Sequence, residues 1–171
     1  MSADEKRDRV LITVGGIVPD LDGLGAIFDV AAKDSGAQLD LYSKYHHQIA
    51  HNLTFGIVMM LGAMLLAKRK IRTALIFLVA FHIHLLCDLI GARGPDGYQW
   101  PIPYSWPFSS SLQLNWQSQW GLVSWQNYAI TILMLVMVFV ISYRKKYSPL
   151  EIFSSKWDRQ FVHYLAKRLD K

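Results

Sequence analysis

Three apolar runs set the limits on what this chain can become. His51 to Ala67, Ile71 to Gly91 and Ser124 to Tyr143 are each about 17 to 21 residues long, the length a helix needs to cross roughly 30 Å of hydrocarbon. A fourth run, Val10 to Ala32, has the length but contains Gly15, Gly16, Pro19, Gly23 and Gly25. Proline removes a helical hydrogen bond and glycine weakens helical order, so this segment is expected to be kinked or re-entrant. Composition agrees, since 52% of the 171 residues are hydrophobic and six are Trp, a bias seldom found in soluble domains of this size. The expected fold is an all-α, polytopic helical membrane protein. It has three spans, a broken or re-entrant N-terminal membrane segment and a C-terminal amphipathic helix.

The fourth run also carries Asp20 and Asp22 at its centre. A charged side chain at the middle of a spanning helix costs roughly 2.5 to 3.5 kcal/mol, and two of them beside a proline call for a compensating partner such as a cation. Lys6, Arg7 and Arg9 before the run and Val30-Ala31-Ala32 after it have the outline of a signal peptide. Pro19-Asp20-Leu21-Asp22 breaks the apolar region such peptides keep clean, which favours a retained membrane segment. The lone Cys87 forms no internal disulfide and leaves the redox compartment open.

Basic residues give the expected orientation. Lys6, Arg7 and Arg9 precede the first segment, Lys68, Arg69, Lys70 and Arg72 fill the turn between the second and third, and Arg144, Lys145 and Lys146 close the fourth. Placed on the cytoplasmic side, all three clusters obey the positive-inside rule and put both termini in the cytoplasm. The net charge of +5 then reflects topology and anionic lipid rather than nucleic acid.

At about 1.5 Å per helical residue, Asp20 and Asp22 lie about 17 to 20 Å from the cytoplasmic edge, His51 about 25 Å, and His84 and Asp88 about 18 and 24 Å. These ionisable groups reach one layer in the outer half of the bilayer, which points to a single convergent site. His84 and Asp88 are four apart and share a helix face, whereas His82 is turned away and reads as a structural histidine bonded to a nearby carbonyl. His47 and His51 are likewise four apart; His46 joins His51 only where the helix is distorted or starts between them. Imidazole and carboxylate donors suit zinc, manganese or ferrous iron better than calcium or magnesium, and their number allows a dinuclear site.

GGIVPDLDGLG, YHHQIAHN and HLLCDLIGARGPDGYQWPIPYSWPF, in that order, resemble the membrane-bound metal-dependent hydrolase family of YdjM-like bacterial inner-membrane proteins. The shared pattern is PD-x-D, a paired His motif, and H-x-x-x-D followed by a Gly-rich stretch ending in WP. The resemblance spans about residues 15 to 107 and implies metal ligands at Asp20, Asp22, His46, His51, His84 and Asp88. The family's additional N-terminal His is absent, and its His-Ser ending is His51-Asn52 here. Family spacing selects His46 and helical facing selects His47, so both stand as candidate ligands.

The Gly- and Pro-rich loop after Asp88 carries Tyr98, Trp100, Tyr104 and Trp106 and is expected to lid the site at the outer interface. Its Arg93, Asp96 and Trp100 are candidate substrate contacts. Residues 148–171 form an expected tail domain after the membrane-embedded metal-site domain 1–147. Within the tail, Ser148 to Glu151 has the form of a capping box, and Trp157, Phe161, Tyr164, Leu165 and Leu169 recur opposite Lys156, Arg159, Lys167 and Lys171. That pattern predicts a basic amphipathic helix on the cytoplasmic surface.

The function expected from these features is a metal-dependent hydrolase of the bacterial inner membrane. It would use a divalent ion, zinc or manganese by donor chemistry, and a metal-bound water to cleave an ester or phosphoester of a membrane lipid or lipid-linked substrate on the periplasmic side. A divalent-metal transporter and a structural membrane subunit are the rival readings. A transporter calls for polar residues continuing toward the cytoplasm, and MMLGAMLLA and IFLVAF are wholly apolar there.

Overall fold

The computed structural model describes residues 3–34, 39–94 and 97–170. Asp96 and Lys171 lie outside the described residues. The chain is helical, with no strand among the described residues. In order come α1 (Ala3–Gly15), a 3₁₀ segment (Val18–Leu24), α2 (Gly25–Asp34), α3 (Leu41–Tyr45), α4 (Leu53–Leu66), α5 (Lys70–Gly91) and α6 (Trp125–Lys145). A second 3₁₀ turn (Pro149–Ile152) and α7 (Ser155–Leu169) complete the chain.

By length and apolar composition α5 and α6 are each able to cross a bilayer. The pair Glu5–Gly15 and Val18–Lys33, bent by 54°, is a third candidate as a broken span or re-entrant loop. The bend falls at the Gly- and Pro-rich stretch, where helical hydrogen bonds are weakest. The run His51 to Ala67 gives a shorter helix than expected. Asn52 is its N-cap, accepting from the Phe55 N–H at 2.8 Å, and α4 ends where Ala67 turns extended. Its 14 residues reach about 21 Å, short of roughly 30 Å of hydrocarbon. The helical part of this run is thus 14 residues rather than 17, because Asn52 caps its start and leaves His51 in the preceding turn.

The helices pack through small residues. A Cβ on Gly15 of α1 would sit 2.8 Å from the Phe77 carbonyl oxygen of α5, and one on Gly56 of α4 would sit 2.7 Å from the Phe81 ring. Such close approach is the usual means of helix association in lipid, where no hydrophobic drive separates helix from acyl chain. Val18, Ala63, Phe77, Phe81, Leu85 and Ile102 form the core. Ile102 brings the loop after α5 into that core, held by paired backbone bonds with Leu114. The loop thus packs as part of the fold over the N-terminal end of α4 and the C-terminal end of α5.

Helix α6 stands apart, almost wholly exposed along its length. Asn127 fastens its N-terminal end by donating to the Gly91 carbonyl at 2.7 Å and accepting from the Trp120 indole at 2.8 Å. At the other end, Glu151 accepts two bonds from the Arg9 guanidinium, at 2.8 and 2.7 Å. The tail differs from its sequence pattern in where the helix begins. Ser148 caps the short turn by accepting from the Leu150 N–H, and Ser154 caps α7. Asp158 and Val162 are the buried side chains of α7, with Asp158 accepting from the Ser148 N–H and hydroxyl at 2.6 and 2.8 Å. Trp157, Tyr164 and Leu169 are exposed.

Candidate metal centre

The site is assembled from three pieces of chain. The 3₁₀ segment places Asp20 and Asp22; the irregular turn between α3 and α4 carries His46, His47 and His51; and one face of α5 presents His84 and Asp88. The tighter 3₁₀ winding lets two carboxylates only two residues apart act toward one region from different directions. Asp22 is the hub of the turn. One of its oxygens lies 2.9 Å from His46 Nδ1, and the other lies 3.1 Å from His51 Nδ1 and accepts the Ala50 N–H at 3.0 Å. Asp29 supports the same piece by accepting from the Leu41 and Tyr42 N–H groups, both at 2.8 Å.

His84 Nδ1 lies 2.9 Å from the Gly16 carbonyl oxygen. A carbonyl only accepts, so Nδ1 carries a proton and Nε2 is the outward nitrogen. His46 and His51 follow the same logic against the Asp22 carboxylate. His84 Nε2 lies 3.1 Å from Asp88 Oδ2 and 3.4 Å from Asp20 Oδ1, and His51 Nε2 lies 3.3 Å from the same Asp88 oxygen. All three atoms of this core, His51 Nε2, His84 Nε2 and Asp88 Oδ2, are buried and crowd together without a well-aligned hydrogen bond to satisfy them. Buried polar atoms are rarely left so, and a cluster of them calls for a shared occupant.

Two groups have donor atoms all within 4.8 Å of one another: Asp20, His51 and His84, and His46, His47 and His51. Both candidates of the His46/His47 pair therefore reach the centre. Helical facing does not choose between them because neither is helical; His47 adopts a left-handed backbone with φ of 67°. Such a conformation costs about 1 kcal/mol or more for a residue other than glycine and recurs at functional sites. Burial pushes the His47 imidazole down to about 4, leaving it neutral, the form that ligates metals.

On the solvent side, Trp100 stands edge-on to His46 and His47 at 5.2 and 5.0 Å between ring centroids. It lines a cleft of about 620 Å³ with His46, His47, Lys44, Gln48 and Tyr98. Arg93 is turned to its own loop, donating to the Gln117 carbonyl at 2.6 Å. His82 is fully bonded, with Nδ1 2.8 Å from the Leu78 carbonyl and Nε2 2.9 Å from the Tyr104 hydroxyl. Sequence reasoning missed Tyr42, which stacks on His46 at 4.5 Å, and the Gly16 carbonyl. The latter leaves no trace in side-chain pattern.

An all-helical chain with membrane-length apolar helices and a buried histidine–carboxylate cluster is a helical membrane protein built around a polar site. Residues 2–157 match the family of YdjM inner membrane proteins, and the chain belongs to that family. No curated protein and no solved structure matches it.

Proposed function

We propose that the chain is a metal-dependent hydrolase acting on an ester or phosphoester at the outer headgroup layer of the inner membrane. The observation that carries this reading is the meeting of His51 Nε2, His84 Nε2 and Asp88 Oδ2, all buried, with the two nitrogens 3.3 and 3.1 Å from the Asp88 oxygen but without a satisfying hydrogen bond. Asp20, His51, His84 and Asp88 would hold one divalent ion, with zinc or manganese suited to the donors. His46 and His47 offer donors for a second. A divalent ion held there supplies Lewis-acid activation of water and of the scissile oxygen. Asp22 acts as the orienting carboxylate, since its oxygens already accept from His46, His51 and the Ala50 N–H, the arrangement that fixes ring tautomers around metals. Trp100 and Lys44 wall the approach from the cleft and position the substrate.

Transport of the ion is less well supported. Toward the basic end of the helices the next side chains in the core are Val18, Phe77 and Phe81, all fully or nearly fully buried, an apolar layer that an ion in transit would have to cross. The hydrolase reading is tested on purified protein with bis(p-nitrophenyl) phosphate. Cleavage that disappears on chelation, returns with manganese or zinc, and is lost in His84→Ala supports it. Metal-loaded protein inert toward phosphodiesters and carboxylic esters alike would contradict it.

The proposed topology puts both termini in the cytoplasm and the site toward the periplasm. Its support is that the basic clusters share one end of the bundle. Asp8 accepts from the Lys68 and Arg69 N–H groups at 2.8 and 3.1 Å, and Arg9 pairs with Glu151 just beyond α6. In a Cys87→Ala background, a membrane-impermeant thiol reagent applied from the periplasm should label Ser110→Cys and miss Lys70→Cys. The reverse pattern inverts the orientation.

A further inference from the structure

The turn that carries the histidines also divides two cavities. Leu41, Tyr45 and Ile49 face a groove of about 410 Å³, whose opposite wall is Leu24 and Phe28 and whose floor is Asp22. Lys44, His47 and Gln48, alternating with them in sequence, face the cleft closed by Trp100. The groove is lined mainly by apolar side chains: Asp22 is 1% exposed with its oxygens already bonded, and the Tyr45 hydroxyl is the other side-chain polar group among its described lining residues. The cleft is the opposite case, with Lys44 the one formally charged side chain among its described lining residues.

We infer that the ligand of this site is an amphiphile seated astride the histidine turn, an acyl chain in the groove and an anionic phosphoester head in the cleft beside Lys44. The occupant of the groove follows from its surroundings. Its rim runs on into exposed Leu21, Leu24, Ile27 and Phe28, and in an inner-membrane protein such a surface meets acyl chains, so the groove opens from the interface that the bilayer already occupies. The head follows from charge, since a lysine at a headgroup layer attracts an anionic phosphate. Between chain and head, the linkage lies against His46 and His47. The inference deepens the hydrolase reading by naming its substrate class, but the binding it describes does not require turnover.

The test is photo-crosslinking of the full chain in maltoside micelles with phosphatidylglycerol carrying a diazirine near the end of one acyl chain. Diacylglycerol with the same chain is the comparison. Crosslinks concentrated on residues 24–28 and 41–45 are expected, with capture of the diacylglycerol about fivefold weaker, the share of one lysine at an anionic headgroup. Lys44→Ala should bring the two probes level. Leu24→Trp, a change at an exposed position that fills the groove, should remove the groove crosslinks while the circular dichroism stays that of wild type. Crosslinks spread along α5 and α6 without enrichment in the groove overturn the proposal, as does equal capture of both probes by wild type. Full competition by glycerol phosphate, which has no chain, reduces the site to a free-phosphate cleft and also overturns it. Capture that survives chelation supports the seat even if no ester is ever cleaved, which separates this inference from the hydrolase reading.

Discussion

Asp88→Ala protein is expected to enter the membrane and fold, yet to retain no metal. Asp88 Oδ2 stands 3.1 Å from His84 Nε2 and 3.3 Å from His51 Nε2, so its loss takes the anionic donor from the middle of the proposed ion site. Even partners one step removed from a metal cost about 10- to 100-fold in affinity when mutated, and a direct anionic ligand should cost at least about 100-fold. Insertion moves the other way, because removing a charge from an apolar helix relieves roughly 2.5 to 3.5 kcal/mol of membrane cost. Metal content and thermal unfolding, measured together on detergent-purified protein, check both halves. A purely structural network predicts the reverse, an unstable variant of a wild type that never held metal.

Gly15→Val should damage fold and site together. A Cβ at residue 15 would lie 2.8 Å from the Phe77 carbonyl oxygen and 3.0 Å from the Phe77 ring, and backbone cannot swing aside as a flexible side chain can. Helix α1 must move off α5, at a cost of about 3 kcal/mol for overpacking at a tight contact. The adjacent Gly16 carbonyl accepts from His84 Nδ1 at 2.9 Å, so the displacement also frees the ring that points Nε2 into the centre. The expected result is a lowered unfolding temperature together with weakened metal retention. Gly62→Val is the control, since a Cβ there meets nothing within 4 Å, and it should change neither by much.

The parts of this arrangement legible in sequence are those carried by side-chain pattern. Membrane-length apolar runs announced α5 and α6, the Gly and Pro residues marked the break after α1, and four-residue spacing placed His84 and Asp88 on one face. What pattern did not show depends on backbone. Helical spacing favoured His47 over His46, but the chain from His46 to Asn52 is a turn, closed by the Ala50 N–H on Asp22 and by Asn52 at the start of α4. Asp22 looked like a ligand equal to Asp20; its position under two imidazole Nδ1 atoms sets it apart, and that is a tertiary fact. The loop read as a surface lid because of its Gly, Pro and Trp content. Ile102, fully buried, stands between two prolines and carried no periodic signal.

The central claim is that the clustered carboxylates and imidazoles hold a cation, and elemental analysis of the wild-type chain tests it most directly. Protein purified in detergent without added metal, and passed through a desalting column, is expected to carry about one or two ions of zinc or manganese per chain, one at Asp20, His51, His84 and Asp88 and a second at His46 and His47. Fully folded protein that carries no transition metal, and takes up none when zinc or manganese is supplied in excess, would contradict the account.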